Sequence, residues 1–324
     1  MTVVSRRSFL AAAGITAVST IHPLFALAGP LKSPFRVAVI NDEISPDFDH
    51  ACSVVANDFG LQWIELRSMW GKNMIAMGDD DLARAEAILN KYNLRVTDIA
   101  SPLFKAYWPG APQSPFGPKN DWFHADFGYK QQDEVLEKSI ALVKRFKTRR
   151  VRGFDFWRLE DQAPYRAAMD AKLAEAAETC GKHDVIFILE NELDCNTATG
   201  REAARTLAAV KSPHLMLNWD PGNAVARGEV DAWPNGWNAL PKNRIGHCHV
   251  KNAVKKPSGD GFEWAPVDEG IIDWTAQFKA LKQIGYHDAV SLETHWKGGG
   301  SPEASTRISW AGMKKDLEQA QALS

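Results

Sequence analysis

"VIFILENE", residues 185–192, is followed after a short polar stretch by "GREAARTLAAVK", residues 200–211. The first segment is apolar from Val185 to Leu189 and turns polar only at Glu190. That is how a strand covered on both faces reads. In the second, Ala203, Leu207 and Val210 recur at spacings of four and three, the period of a helix with one apolar face. The pair is therefore one βα unit, and the rest of the chain repeats it. "RVAVIND" precedes "DFDHACSVVANDFG", "WIELRS" precedes "DDDLARAEAILNKYN", "RVTDIAS" precedes "QDEVLEKSIALVKRFK", and "RRVRGFDF" precedes "PYRAAMDAKLAEAAETCGKH". On the other side, "LMLNWD" precedes a weaker segment with Trp and Pro, "DAWPNGWNAL"; "RIGHCHVK" precedes "DWTAQFKALKQIG"; "AVSLETHW" precedes "SPEASTRISWAGMKKDLEQAQA". Strands alternating with helices argue for a parallel sheet, and eight such units predict a single-domain (β/α)8 TIM barrel. An open doubly wound sheet is the alternative, but no GxGxxG follows the first strand.

The whole-chain numbers narrow the function. Hydrophobic residues make up 45% and charged residues 24% of 324, with a net charge of −2. These values suit an ordinary globule and give no basic surface for nucleic acid or an anionic membrane. Residues 1–28 read as a twin-arginine export signal: Arg6-Arg7, then Phe9-Leu10, an uncharged apolar stretch, and Ala26-Leu27-Ala28 before Gly29. The expectation is a periplasmic protein exported folded, with no stable membrane anchor and a barrel over 29–324. The four cysteines, Cys52, Cys180, Cys195 and Cys248, form no CxxC; a disulfide and free buried thiols both stay open.

In such a barrel the active site lies at the C-terminal ends of the strands. Strand five ends in Glu190-Asn191-Glu192, strand six in Asp220-Pro221-Gly222-Asn223, and strand eight in Glu293-Thr294-His295. In strand seven alternation puts His247, His249 and Lys251 on one face and Cys248 on the other. Any one of these alone is more simply a structural residue. Carboxylates converging on one rim repel unless a cation lies between them. Two Glu, one Asp and one His make a hard, mostly oxygen set, suited to Mn²⁺ foremost, with Mg²⁺, Co²⁺ or Zn²⁺ as alternatives.

The segments "FILENE", "LNWDPGNA", "IGHCHVKNA" with "VDEGIIDW", and "VSLETHW" together resemble the xylose-isomerase-like TIM-barrel superfamily of sugar isomerases and epimerases, with endonuclease IV as a distant member. The resemblance implies metal ligation by Glu190, Asp220, His249 and Glu293, with Glu192 as rival to Glu190 on strand five. It implies that His247 lies behind the ligands and that Lys251 reaches substrate oxygens. Two positions depart from the ketose epimerases. Asn223 stands where they carry a substrate-binding His, and Asp268-Glu269-Gly270 replaces Gly-Glu-Gly. The nuclease's additional histidines are missing from "FEWAPVDEG", which argues against DNA as a partner.

Of the 12 tryptophans, Trp70, Trp108, Trp157, Trp219, Trp264 and Trp296 fall at or just after strand C-termini. Each alone could merely pack a loop; together they predict a ring of indoles suited to the C–H face of a sugar. Trp219, Trp264 and Trp296, with Lys251 and Asn223, are the expected substrate contacts. The expected activity is a metal-dependent isomerase or epimerase, working through a metal-stabilised enediolate on a keto-sugar or keto-glycoside. Glu190 and Glu293 would trade the proton, with His295 as the alternative base. A 3-keto-glycoside lyase that expels the C1 substituent is the alternative, and a non-catalytic periplasmic sugar-binding protein the third. The expected partner is a small carbohydrate, and a homo-oligomer is compatible with the chain.

Overall fold

The structure is a computed structural model, and it describes residues 31–114 and 127–324. Eight parallel strands form one sheet: β1 (Arg36–Val39), β2 (Trp63–Leu66), β3 (Arg95–Leu103), β4 (Arg150–Gly153), β5 (Ile186–Glu190), β6 (Leu215–Trp219), β7 (Ile245–Val250) and β8 (Ala289–Leu292). Each pairs with its sequence neighbour from β2 to β8, and β8 pairs in parallel with β1. A bridge between Ile40 and Glu65 joins the ends of β1 and β2 and brings the sheet round into a barrel. The predicted fold is thus found.

Around the barrel run α1 (Phe48–Ser53), α2 (Asp79–Lys91), α3 (Gln132–Arg145), α4 (Arg166–Lys182), α5 (Gly200–Ala209), α6 (Pro221–Ala226), α7 (Trp274–Gln283) and α8 (Pro302–Gln319). Capping follows from sequence. Thr199 Oγ1 accepts from Glu202 N, and the Glu202 carboxylate returns to Thr199 N, a capping box that starts α5. The sixth unit differs from expectation. Its helix begins directly after β6, because Asp220 caps Asn223 N and Pro221 occupies the first turn. The Trp- and Pro-containing stretch forms only short turns at Ala232–Gly236 and Trp237–Ala239.

The apolar core lies mainly between barrel and helices. Phe187 and Leu189 of β5 join Leu173 and Ala177 of α4 and Leu207 of α5 there, all at most 3% exposed. Each Phe or Leu side chain among them contributes roughly 1.5–3 kcal/mol on burial. The inward face is different: Glu65, Asp98, Arg152, Glu190, His247 and His249 are each no more than 1% exposed. Buried polar groups on this scale persist only when they satisfy one another.

Two hairpins rise from the barrel, Ser68–Met69 with Lys72–Asn73 after β2 and Asn252–Lys255 with Phe262–Ala265 after β7. All four cysteines are buried and free. Among the described residues no helix is long and apolar enough to cross a membrane. The expected export signal over 1–28 lies outside the described residues.

Candidate metal centre

Strand alternation turns His249 into the barrel, where its ring joins two clusters. Nδ1 lies 3.1 Å from Glu190 Oε1, 3.2 Å from Glu293 Oε2 and 3.7 Å from Asp220 Oδ2. Nε2 faces the other way, 3.1 Å from Glu65 Oε1 and 3.2 Å from Asn218 Nδ2. One ligand atom each from Glu190, Asp220, His249 and Glu293 falls within 4.8 Å of all the others, and all four residues are buried. β5, β6, β7 and β8 thus bring the four expected ligands to one point.

The donor set fits a divalent cation. Three carboxylate oxygens and one imidazole nitrogen are hard to intermediate ligands. Asp220 Oδ2 is buried and accepts no directed hydrogen bond, although the Lys251 ammonium stands 2.8 Å away. Lys251 also pairs with Glu293 Oε2 and is fully buried.

A further set of residues holds these carboxylates in place. Arg152 Nη1 lies 3.1 Å from Glu190 Oε2. Arg67 reaches three acids at once: Nε to Asp42 at 2.9 Å, Nη2 to Glu43 at 2.7 Å and Nη1 to Glu293 Oε1 at 2.8 Å. The Asn223 amide donates to Glu190 Oε1 at 3.1 Å and to Glu192 Oε2 at 3.0 Å. Deeper in the barrel, His247 Nε2 meets Glu65 Oε2 at 3.1 Å and Nδ1 lies 3.6 Å from Asp98 Oδ1.

The electrostatics separate the acids. Burial alone raises the Glu190 carboxyl, but the charges of His249 and Arg152 outweigh it and hold it at about 2. Glu293 is likewise raised by burial and pulled well below the carboxylate range by Lys251, His295 and His249. Glu192 goes the other way: burial lifts it, and Lys105 only partly offsets this. Burial opposes charge on His249, yet Glu65, Glu190 and Glu293 raise its imidazole well above the usual value. Glu190 and Glu293 are therefore ionised at neutral pH, as ligands or bases must be.

The remaining expected residues divide. His295 lies beside the cluster, Nε2 3.3 Å from Glu293 Oε1, with its side chain 31% exposed. Its backbone is left-handed at φ +48°, a conformation that costs a non-glycine residue on the order of 1–3 kcal/mol. Trp264, on the second hairpin, has its ring centroid 5.3 Å from Lys251 Nζ and 5.2 Å from the His295 ring. Trp296, the residue after His295, is partly exposed.

Glu192 stands outside the four-ligand cluster, held by Asn223 and, at 3.5 Å, by Lys105. Asn223 is fully buried and its amide nitrogen donates to Glu190, Glu192 and Asn191 O, while its Oδ1 makes no hydrogen bond. Trp219 corrects the sequence reading outright. It alternates with the inward Asn218, so its indole faces α7, fully buried, with Nε1 donating to Gln277 Oε1 at 3.0 Å. Trp70 and Trp108 also pack as much as they line: Trp70 stands edge-on to Phe48 under Arg84, and Trp108 edge-on to Phe156. Of the six indoles, Trp264 is the one whose ring meets residues of the metal cluster, and Trp157 lies farther round the mouth with Lys105 Nζ 5.3 Å from its ring.

Glu65, Arg67 and Arg152 escaped the sequence reading. The signal was present, since Glu65 and Arg67 sit two apart in "WIELR" and Arg152 is a charge inside "RVRG". A charge within a buried parallel strand needs a partner inside the barrel.

Residues 54–316 match the model of the family described as xylose isomerase-like TIM barrel. The L-ribulose-5-phosphate 3-epimerase UlaE of Escherichia coli O8 (strain IAI1) is 24% identical over 252 residues, 74% of this chain and 83% of that protein. A xylose isomerase-like TIM barrel protein from Mycobacterium smegmatis, in complex with magnesium, superposes with a TM-score of 0.63 at 14% identity, covering 89% of this chain and 98% of that one. The apo 3-keto-D-glucoside 4-epimerase YcjR from E. coli superposes with a TM-score of 0.59 at 12% identity over 87% of this chain and 99% of its own.

Proposed function

The chain belongs to the xylose isomerase-like TIM barrel family, and within it we propose a divalent-metal-dependent epimerase or isomerase acting on a neutral keto-sugar or keto-glycoside. The observation that carries this reading is the meeting of Glu190, Asp220, His249 and Glu293 within 4.8 Å. A cation held there, Mn²⁺ or a close relative, supplies Lewis acidity to a substrate carbonyl and its neighbouring hydroxyl and acidifies the C–H between them.

The chain's own residues do the rest. Glu190 and Glu293 come from β5 and β8, on either side of His249, and both are held ionised. One takes the proton from the carbon beside the carbonyl, and the electron pair left behind delocalises onto the carbonyl oxygen. The other carboxylate takes a different proton from solvent and delivers it to the opposite face of that carbon, which is epimerisation, and the first carboxyl then releases its own; return of the abstracted proton by the first carboxyl to the neighbouring carbon is isomerisation. Carboxylates held this low are weak bases, so the reaction depends on the acidity the cation induces. His295, partly exposed and 3.3 Å from Glu293, is placed to carry protons between Glu293 and solvent. Lys251 Nζ, between Asp220 and Glu293, is placed to donate to a substrate oxygen, and Trp264 and Trp296 to cover its C–H face.

A neutral substrate is supported by the charge balance. Arg67, Arg152 and Lys251 are each engaged by carboxylates. The helix after β8, where such barrels often bind phosphate, opens with Glu303 in its first turn. A second reading, β-elimination of the C1 substituent from a 3-keto-glycoside, is favoured by His295, an acid at the open side of the cluster that could protonate a leaving group. We also propose export to the periplasm in the folded state, on the Arg6-Arg7 motif.

The test is incubation of Mn²⁺-loaded protein in D₂O with ketoses, 3-keto-glucosides and their parent glucosides. Deuterium uptake at carbon without cleavage supports the epimerase or isomerase. Aglycone release supports the lyase. Binding without exchange overturns both.

A further inference from the structure

The ring of His249 is gripped on the side away from the ligand cluster. Glu65 Oε1 lies 3.1 Å from Nε2, and both residues are fully buried. The other Glu65 oxygen is fixed by His247 Nε2 at 3.1 Å.

We propose that Glu65 is a positioning residue that, clamped by His247, keeps the His249 proton on Nε2 and aims the Nδ1 lone pair at the point where Glu190, Asp220 and Glu293 converge. The proposal rests on the metal-centre reading above and adds a residue to it. A neutral imidazole has one donor and one acceptor nitrogen, and the hydrogen bond at one decides which remains for a cation. Glu65 is a pure acceptor, so the nitrogen facing it must carry the hydrogen.

The assignment also fixes the Asn218 amide. With the hydrogen on Nε2, Asn218 Nδ2 at 3.2 Å would set donor against donor, and Asn218 Oδ1 is buried without a partner. Amide oxygen and nitrogen are near-indistinguishable in shape. Turning the Asn218 amide over places Oδ1 on the Nε2–H, giving that orphaned oxygen its donor. At His247 the Nε2–H donates to Glu65, while Nδ1 makes no hydrogen bond and lies 3.6 Å from Asp98 Oδ1.

The test uses the full chain, stripped of metal and titrated calorimetrically with Mn²⁺ alone. Glu65→Met keeps an unbranched side chain but removes the acceptor, and Mn²⁺ affinity should fall about 10–100-fold. Glu65→Gln keeps a carbonyl acceptor at the same reach and should recover most of that loss. A role in filling space alone would make the two variants alike. Should Glu65→Met fail to fold, ¹⁵N NMR of the wild-type protein loaded with Zn²⁺ decides the matter, since His249 should show a directly bonded proton on Nε2 and none on Nδ1. Affinity in Glu65→Met within twofold of wild type, or Glu65→Gln as weak as Glu65→Met, overturns the proposal while leaving the metal centre intact; a proton on Nδ1 in the loaded protein overturns the proposal and removes His249 Nδ1 from the ligand set. A wild-type chain that binds no Mn²⁺ overturns the metal centre as well.

Discussion

Lys251→Met isolates the electrostatics of the centre. Lys251 is fully buried, 2.8 Å from Asp220 Oδ2 and paired with Glu293 Oε2. Methionine nearly matches its volume, so the change removes a charge without opening a large cavity. Two buried carboxylates then face each other with less compensation, and breaking such a pair costs about 3–5 kcal/mol. For 324 residues, an unfolding entropy of about 2.1 cal/mol/K per residue makes each kcal/mol worth about 1.5 °C, so the metal-free variant should melt about 4–7 °C below wild type. Lys251 raises no bar to a carboxylate once protonated. Without it, the Glu293 pKa in the folded protein rises, and the deficit is full at neutral pH and narrows as pH falls through that raised pKa. Mn²⁺ should stabilise the variant more than the wild type, because it no longer competes with the ammonium for Asp220 and Glu293. At 100 times its Kd the ion supplies about 2.7 kcal/mol by mass action, enough to recover much of the loss. The assay is differential scanning calorimetry with chelator and with Mn²⁺, at several pH values. A metal-free variant melting within about 1 °C of wild type, or an equal Mn²⁺ shift in both, refutes the picture of Lys251 as the cation that balances this site.

Glu190→Gln and Glu293→Gln should each abolish stoichiometric Mn²⁺ binding, read by metal analysis after dialysis, and lower C–H exchange in D₂O by about 10²–10⁴-fold. Asn223→Ala strips a donor from both Glu190 and Glu192 and should destabilise the fold by about 2–3 kcal/mol in urea unfolding. Trp219→Phe should leave substrate affinity unchanged and cost about 1–3 kcal/mol of stability, because it leaves Gln277 Oε1 without its buried donor; a rise in KM would restore Trp219 to the mouth. The Glu190 carboxyl drops from the model-compound value of 4.5 to about 2 on folding. Its stabilising contribution is therefore complete above about pH 4.5 and is lost as pH falls toward 2, so acid unfolding of the metal-free protein should shift to higher pH in Glu190→Gln.

Sequence alone determined the barrel, because short apolar strand runs and period-3.6 helices are local patterns and eight repeats of one unit leave few architectures. It also marked the ligand positions. A polar residue at the end of an apolar strand must face the mouth, as Glu190 and Glu293 do. It could not decide which side of the sheet a bulky residue takes at a strand end. Trp219 reads as well for the mouth as for the helix layer, and only the β6 register and the nearby Gln277 turn it outward. Nor could it find Glu65, Arg67, Arg152 or the buried role of Asn223. Their partners lie on other segments, 24 to 226 residues away, and a charge is satisfied by whatever the folded chain brings within about 3 Å of it, a three-dimensional condition that no stretch of sequence contains.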